Sequence, residues 1–135
     1  MGLMDEMSDC PLCRWENDPD QRLVQRAQRA VFLQNATHQG ALVGSGVIVP
    51  VRHAPTVFEL TTDELRDTFS LLQAVKAWMD DTYHPDGYNV GWNCGAVAGQ
   101  EIMHAHLHVI PRFRDEPYAG RGIRSWLKQD ANRRP

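Results

Sequence analysis

The sequence predicts an α+β domain in which a mostly antiparallel sheet of about five strands carries one main helix on a face. Short runs of β-branched and apolar residues in both halves of the chain flank a single stretch with helical periodicity. The links between these runs are short, which favours antiparallel packing of successive elements. The 135 residues suffice for one compact domain but not for two independent ones, so residues 1–135 are expected to form a single domain.

Three strands are expected in the first half of the chain. Residues 22–27 and 30–34 mix β-branched and polar side chains, as half-buried strands do. Residues 44–50 form the third run, and Pro50 suits the end of a strand because proline cannot donate a ladder hydrogen bond.

One helix is expected to follow Thr61. The segment Thr61-Thr-Asp-Glu64 is a capping-box pattern, which marks the start of a helix. Apolar residues then recur at three- and four-residue steps, at Leu65, Phe69, Leu72, Val75, Trp78 and Met79. The helix should end near His84, because Pro85 disfavours helical geometry in the residue before it.

The last two strands are expected at residues 87–94 and 104–111, around a glycine-punctuated loop. The second contains His104-Ala-His106-Leu-His108-Val-Ile, and successive side chains of a strand point to opposite faces. The three imidazoles should therefore line one face while the apolar residues between them bury the other. Half of the six histidines would converge on one site.

Charge gives no reason to expect a nucleic-acid polymer or a membrane as a partner. The chain carries 14 basic and 17 acidic residues, a formal net charge of −3. Residues 112–135 form a basic C-terminal extension that is either a solvated tail or a positive rim attracting anionic ligands.

The cysteines and the N-terminus indicate a cytoplasmic protein. Residues 1–9 are expected to be flexible, and they lack the basic start and apolar middle of a signal peptide. Three cysteines do not make a disulfide framework, and Cys10-Pro-Leu-Cys13 has a spacing typical of metal or redox chemistry in a reducing compartment.

The histidine run has three possible uses. Two histidines two residues apart on a strand can hold a metal, and a neutral imidazole can attack phosphorus and carry the group covalently. Three merely structural imidazoles would each need a separate partner. The preceding loop favours phosphate chemistry, because Gly95 and Gly99 let backbone amides approach phosphate oxygens closely.

These residues resemble the signature of a known family. Asn93, Gly95, Gly99-Gln100 and the run from His104 to Ile110 are similar to the motif of histidine triad (HIT) proteins. The resemblance extends over roughly residues 10–114. It implies the sheet-and-helix fold described above, dimers whose sheets join across a two-fold axis, and hydrolysis or transfer of nucleotides through a nucleotidyl-histidine intermediate.

The resemblance also assigns roles to individual residues. It makes His106 the nucleophile and His108 a ligand of phosphate oxygens. Asn93 and Gln100 would contact the phosphate chain and the leaving group, and the backbone near Glu101 would donate to the α-phosphate. The ribose contact falls to Asn35.

A zinc-containing, bacterial branch of the family suggests one further site. Cys10, Cys13, His53 and His104 would form a closed Cys₂His₂ set, as structural zinc prefers. Ser45 stands where many zinc-free relatives have a histidine that binds the first histidine of the run, so zinc would replace that missing partner.

The predicted function is a homodimeric nucleotide hydrolase with structural zinc. Dinucleoside polyphosphates are the first expected substrates, because Gly120-Arg-Gly-Ile-Arg-Ser-Trp-Leu-Lys resembles the tails of bacterial relatives described as diadenosine tetraphosphate hydrolases. Nucleoside phosphoramidates are the alternative. The rival interpretations are a nucleotide-binding module without turnover and a metallohydrolase that uses all three histidines as ligands.

Overall fold

The structure is a computed structural model that describes residues 9–135. Its strands and its long helix follow the order β, β, β, α, β, β. They are β1 (Gln21–Arg26), β2 (Ala30–Asn35), β3 (Gly46–Pro50), α1 (Thr62–Tyr83), β4 (Gly87–Gly91) and β5 (Leu107–Arg112). The predicted α+β fold, a five-stranded sheet with one main helix, is confirmed for these residues.

The sheet is antiparallel throughout and has the strand order β1-β2-β3-β5-β4. The chain crosses from β3 through α1 to the far edge, forms β4, and returns to place β5 between β3 and β4. Val47 on β3 and Gly91 on β4 therefore lie opposite His108. Strands β1 and β4 are left at the two edges.

Both faces of the sheet are covered. On one face α1 packs over a core that includes Phe32, Ile48 and Leu107. On the other face the N-terminal segment packs over a second cluster, formed by Cys10, Leu12, Val31, Leu33 and Val49. Five of the six residues of β2 are therefore buried. His106 and His108 project on the second face, beside the N-terminal segment.

Three strand boundaries differ from the sequence-based expectation by more than one residue. Strand β3 begins at Gly46 and β4 ends at Gly91, so both are shorter than predicted. Strand β5 begins at Leu107 and not at His104. The backbone before Leu107 is held by a contact with another loop, because the N–H of Ala105 donates to the carbonyl of Ala54 at 2.7 Å.

The buried face of α1 also differs in part from the prediction. Val75 and Met79 are buried as expected, but Phe69 is 50% exposed. The Phe69 ring meets Trp92 edge-on, with centroids 6.4 Å apart. The fully buried line comprises Glu64, Thr68, Leu71, Val75 and Met79. The helix ends where predicted, and His84 caps it in the left-handed conformation at φ 53°.

The two ends of the chain were expected to be a flexible start and a basic extension. The first expectation concerns residues 1–9, of which all but Asp9 lie outside the described residues. The extension folds back near its origin, where Arg112 donates to the carbonyls of Tyr118 and Arg121 at 2.9 and 2.7 Å. No helix among the described residues is long and apolar enough to cross a membrane.

We expect the Glu64→Gln substitution to lower the free energy of unfolding by about 1–2 kcal/mol at neutral pH. The Glu64 carboxylate is buried, receives two hydrogen bonds from Arg52 at 2.8 and 3.0 Å, and accepts the N–H of Thr61 at 2.8 Å. The hydrogen bonds from Arg52 hold its pKa below the ordinary value. The stabilisation is therefore present above pH about 4.3 and is lost as the pH falls through the lower folded pKa.

Urea unfolding at neutral and acidic pH tests this expectation. The stabilities of wild type and Glu64→Gln should converge in acid, whereas the exposed control Glu16→Gln should match wild type throughout. A constant difference between Glu64→Gln and wild type at every pH would show that the carboxylate charge is not the cause.

Candidate active site and metal centre

Four side chains predicted to bind zinc lie together beside the sheet. The ligand atoms of Cys10, Cys13, His53 and His104 are all within 4.8 Å of one another. Backbone contacts bring them together: the amides of Cys13 and Arg14 donate to the Cys10 carbonyl at 3.2 Å, which turns the two thiols to one side. The Ala54–Ala105 hydrogen bond joins the loop that carries His53 to the segment that carries His104.

The distances within this group fit a tetrahedral zinc ion. His104 Nδ1 is 3.5 Å from Cys10 Sγ and 3.4 Å from Cys13 Sγ, and His53 Nδ1 is 3.2 Å from Cys13 Sγ. Zinc bound at about 2.3 Å to sulfur and 2.0 Å to nitrogen separates such ligand atoms by roughly 3.5 Å. The donor set and its spacing therefore suit a closed, structural zinc site.

The protonation of the group also suits a metal. His104 is fully buried, and burial lowers its pKa, so its ring is neutral as metal coordination requires. His104 Nε2 lies 2.8 Å from the carbonyl of Pro50, which can only accept, so Nε2 carries the proton and Nδ1 faces the thiols. In the metal-free protein, burial and the neighbouring Cys10 raise the pKa of Cys13 to about 11. Metal binding must therefore displace the Cys13 proton.

His106 is held in the orientation that a nucleophile needs. Its Nδ1 lies 2.8 Å from the carbonyl of His104, so Nδ1 must donate and Nε2 keeps a free lone pair. His106 is half-buried, while Ala105 and Leu107 on either side are buried in the sheet. Residues 104–107 thus connect the metal-binding group, formed by Cys10, Cys13, His53 and His104, to the hydrogen bond that orients His106.

His108 lies next to His106, with ring centroids 4.9 Å apart. Burial, together with the neighbouring His106, lowers the pKa of His108 and keeps its ring neutral. His108 Nε2 is buried and has no hydrogen-bond partner among residues 9–135. A buried polar atom without a partner is costly, and a ligand oxygen would satisfy it.

A cleft of about 310 Å³ opens above these two histidines. Its middle is apolar, lined by Leu33, Val47 and Ile110. Its far end is polar and includes Asn35 and His38, which follow β2. The arrangement suits an elongated ligand that has a charged end at His106 and His108 and an apolar middle. His104 belongs to the metal-binding group and not to this cleft. The three histidines of the run therefore lie in two adjacent clusters.

Asn35 lines the cleft, but one of its polar atoms is already used. Asn35 Oδ1 accepts the backbone N–H groups of Thr37 and His38 at 2.9 and 2.7 Å. The side-chain NH₂ group is the part left to contact a ligand. The ribose contact of Asn35 stays a prediction, with this atom as its donor.

Gln100 has a different environment from the one predicted. It is buried, and its side-chain NH₂ donates to the carbonyls of Pro55 and Ile102 at 2.6 and 3.0 Å. Its Oε1 accepts the N–H of Gly95 at 2.8 Å. Gln100 therefore closes its own loop, and a direct ligand contact would require one of these hydrogen bonds to break. Its role at the substrate stays a prediction.

The rest of the loop is arranged by its glycines. Gly95 and Gly99 have φ of 92° and 96°, a conformation that disfavours other residues, and they flank a short 3₁₀ turn. Asn93 is exposed beside Gly99. Within the described residues no hydrogen bond is made by the backbone N–H of Glu101, which leaves it available for a phosphate oxygen.

Ser45 does not replace the histidine of zinc-free relatives. Its hydroxyl donates to the carbonyl of Leu42 at 2.7 Å, and it lines the cleft. His104 instead faces Pro50 and the two cysteines. The first histidine of the run is thus held by the Pro50 carbonyl and the two cysteines, and not by Ser45.

The sequence did not predict that His38 lies in the cleft. His38 is exposed, and it lines the cleft with His106 and His108. No motif singles it out. Its position depends on the pairing of β1 with β2, which a local pattern does not specify.

Comparisons with known proteins agree with this architecture. A family model described as HIT domain matches residues 16–115. The asymmetrical bis(5'-nucleosyl)-tetraphosphatase of Schizosaccharomyces pombe is 34% identical over 71 residues, which are 53% of this chain and 39% of that protein. The bis(5'-adenosyl)-triphosphatase of Dictyostelium discoideum is 32% identical over 71 residues, 53% of this chain and 48% of that protein. The chain thus matches about half or less of the length of these relatives.

Solved structures share the fold. A HIT family protein from Bacillus anthracis superposes with a TM-score of 0.70 at 24% identity, covering 79% of this chain and 75% of that one. A zinc-bound histidine triad family protein from Mycobacterium smegmatis also gives 0.70, at 19% identity, covering 82% and 80%. The family model matches about three quarters of the residues, and these include the sheet and the histidine segment. The chain therefore belongs to the HIT domain family.

Proposed function

We propose that the protein is a nucleotide hydrolase or transferase that acts at the α-phosphate through a covalent nucleotidyl-histidine intermediate. The observation that carries the proposal is the orientation of His106. A backbone carbonyl fixes the proton on Nδ1, and the free Nε2 belongs to a ring that lines the cleft beside His108. A binding module without turnover needs no nucleophile held in this way.

The reaction has two displacements at phosphorus. The Nε2 lone pair of His106 forms a P–N bond, and the bond from phosphorus to the leaving group breaks with its electron pair going to the leaving atom. An oxygen leaving group departs as a phosphate anion, and a nitrogen leaving group takes a proton from solvent and departs as an amine. Water then forms a new P–O bond, the P–N bond breaks, its electron pair returns to Nε2, and a water proton is released. The product is a nucleoside monophosphate.

His108 is proposed to stabilise the charge that builds on the phosphate oxygens. Its buried Nε2 lacks a partner, and in the neutral ring this atom can donate one hydrogen bond to a phosphoryl oxygen. The free backbone N–H of Glu101 would donate to another oxygen. Asn93 and Gln100 are proposed to contact the phosphate chain and leaving group, Gln100 after opening its loop contacts.

A structural zinc ion is proposed at Cys10, Cys13, His53 and His104. The ion would anchor the segment whose His104 carbonyl orients His106, while taking no part in the displacement. The metallohydrolase alternative is not favoured, because the metal-binding group found among residues 9–135 includes neither His106 nor His108. Since zinc requires both cysteines as thiolates, we also propose a reducing, cytoplasmic setting.

A homodimer that joins two sheets through β4 is proposed as the assembly. Strand β4 is an open edge, and Phe69, Val90 and Trp92 form an apolar strip beside it on the helix side. Phe69 is 50% and Val90 37% exposed. An open edge beside an apolar strip is the kind of surface that sheets use to associate.

Sedimentation velocity tests the assembly. Wild type is expected to sediment as a dimer, and Phe69→Arg is expected to sediment as a monomer because it places a charge in the strip. Phe58→Arg is the matched control, since Phe58 is 82% exposed and lies outside the strip. A monomeric wild type, or two variants that associate equally, would contradict this assembly.

Product analysis tests the substrate class. Dinucleoside polyphosphates are the first choice, and nucleoside phosphoramidates would react by the same two steps. Chromatography should show a nucleoside monophosphate from at least one class, with the higher kcat/KM on diadenosine tetraphosphate. Higher kcat/KM on adenosine phosphoramidate would reverse the preference, and absence of products from both classes, despite nucleotide binding, would favour a non-catalytic module.

A further inference from the structure

The polar far end of the cleft contains a hydrogen-bonded chain that ends at His38. The Thr37 hydroxyl lies 3.0 Å from Asp20 Oδ1 and 2.6 Å from His38 Nδ1. Asp20 is brought to this turn by the antiparallel pairing of β1 and β2, where its carbonyl accepts the N–H of Ala36 at 2.7 Å. A side chain on an exposed loop is thus held by residues from two separate segments.

This chain specifies the tautomer of His38. The Asp20 carboxylate and Asn35 Oδ1, which lies 3.3 Å from the Thr37 hydroxyl, can only accept, so the single hydroxyl proton of Thr37 is donated to one of these two oxygens. The hydroxyl oxygen must then accept from His38, which places the imidazole proton on Nδ1. The Nε2 atom of a neutral His38 is left as a hydrogen-bond acceptor. The backbone of His38 is fixed as well, because its N–H donates to Asn35 Oδ1.

His38 and the two catalytic histidines occupy opposite ends of one cleft. The cleft runs from the two histidines across β3 to the residues that follow β2, and two strand spacings are about 10 Å. A nucleotide whose phosphorus lies at His106 would place its nucleoside over the apolar middle and direct the remaining polar groups to His38.

We propose that His38 is a specificity-determining residue that accepts a hydrogen bond from the nucleoside part of the ligand. The donor is a hydroxyl of the ribose or the exocyclic amine of the base, since both present an N–H or O–H to Nε2. Asn35, whose side-chain NH₂ makes no hydrogen bond within residues 9–135, would complement His38 as a donor. This inference rests on the proposed function only in taking a nucleotide as the ligand, and it requires no turnover.

Binding of adenosine 5'-monophosphate, measured by calorimetry, tests the inference. His38→Ala is expected to raise the Kd about tenfold, the effect of losing one hydrogen bond. His38→Gln should bind within about threefold of wild type, because its amide oxygen can reach the place of Nε2. His84→Asn is the matched control, because it changes an exposed histidine outside the cleft and keeps a side chain that tolerates the left-handed conformation.

Three analogues identify the donor. They are the 5'-monophosphates of 2'-deoxyadenosine, 3'-deoxyadenosine and purine riboside, which lacks the amine. With wild type, one analogue should bind about tenfold more weakly than adenosine 5'-monophosphate, and His38→Ala should not weaken that analogue further. The analogue that behaves in this way separates a ribose contact from a base contact.

Several results would overturn the inference. The first is a His38→Ala variant whose Kd for adenosine 5'-monophosphate is unchanged. The second is a His38→Ala variant that binds every analogue more weakly by the same factor. The third is a wild type that does not bind adenosine 5'-monophosphate. The proposed function is judged separately, by product formation from intact substrates. A His38 variant that still forms product but no longer discriminates between the nucleoside analogues would support both the proposed function and the proposed role of His38.

Discussion

Replacing His106 with alanine is expected to lower kcat by about 10⁴-fold or more, because removing a covalent nucleophile abolishes both displacements. The nucleotide should still bind, since the apolar middle and the far end of the cleft remain. The fold should be retained as well, because His106 is half-buried and its one hydrogen bond is to a neighbouring carbonyl. Steady-state kinetics, with a binding measurement on the same variant, separates these effects.

Two further variants sharpen this prediction. His108→Ala should lose less activity, about 10²-fold, because it removes a hydrogen-bond donor and keeps the nucleophile. His84→Asn changes a histidine outside the cleft and should be fully active. Retention of activity in His106→Ala, or a loss in His108→Ala as large as in His106→Ala, would argue against a nucleophilic role for His106.

Replacing Cys13 with serine is expected to cause the largest loss of stability. Zinc present at about a thousandfold excess over its Kd stabilises the folded state by about 4 kcal/mol, and losing it should lower Tm by more than about 10 °C. Cys94→Ser is the matched control, since Cys94 is a free cysteine that does not belong to the group. Metal analysis and thermal unfolding of the two variants test the prediction.

The result also separates a structural from a catalytic metal. Chelation of a structural zinc should lower Tm before activity is lost at low temperature. Chelation of a catalytic metal would instead abolish activity immediately. Equal metal content and equal Tm in Cys13→Ser and Cys94→Ser would show that the four side chains do not bind zinc.

Zinc binding should weaken as the pH falls. The metal-free Cys13 thiol has a pKa raised to about 11, so at neutral pH it holds a proton that zinc must displace. The apparent affinity is expected to fall about tenfold per pH unit for each proton released. Competition with a chromophoric chelator at several pH values measures this slope. A slope near zero would contradict thiolate coordination.

Short sequence patterns correctly predicted the two ends of α1. The capping box at Thr61 and Glu64 and the proline after His84 bound α1 as expected, because each acts within one helical turn. The start of β5 could not be predicted in this way. It depends on the hydrogen bond between Ala105 and Ala54, which joins segments far apart in the sequence.

The residues of the candidate site also divide into those that sequence patterns predicted and those whose positions depend on distant contacts. The Cys-x-x-Cys spacing and the histidine run, with the family resemblance, brought together the four side chains that the structure places within 4.8 Å. The local environment of Gln100 and the cleft position of His38 could not be foreseen. Gln100 donates to the carbonyl of Pro55, and the Thr37 hydroxyl beside His38 contacts Asp20; both contacts join segments that only the folded chain brings together.

We expect His106 to carry the nucleotide as a covalent adduct during turnover. Intact-protein mass spectrometry tests it most directly, with diadenosine tetraphosphate mixed with wild type or His106→Ala, brief acid quenching during the first turnover, and neutral handling. We expect wild type to gain the mass of one adenylyl group and His106→Ala to gain none. Products formed by wild type without an adduct at any sampled time, or the same adduct on His106→Ala, would contradict the claim.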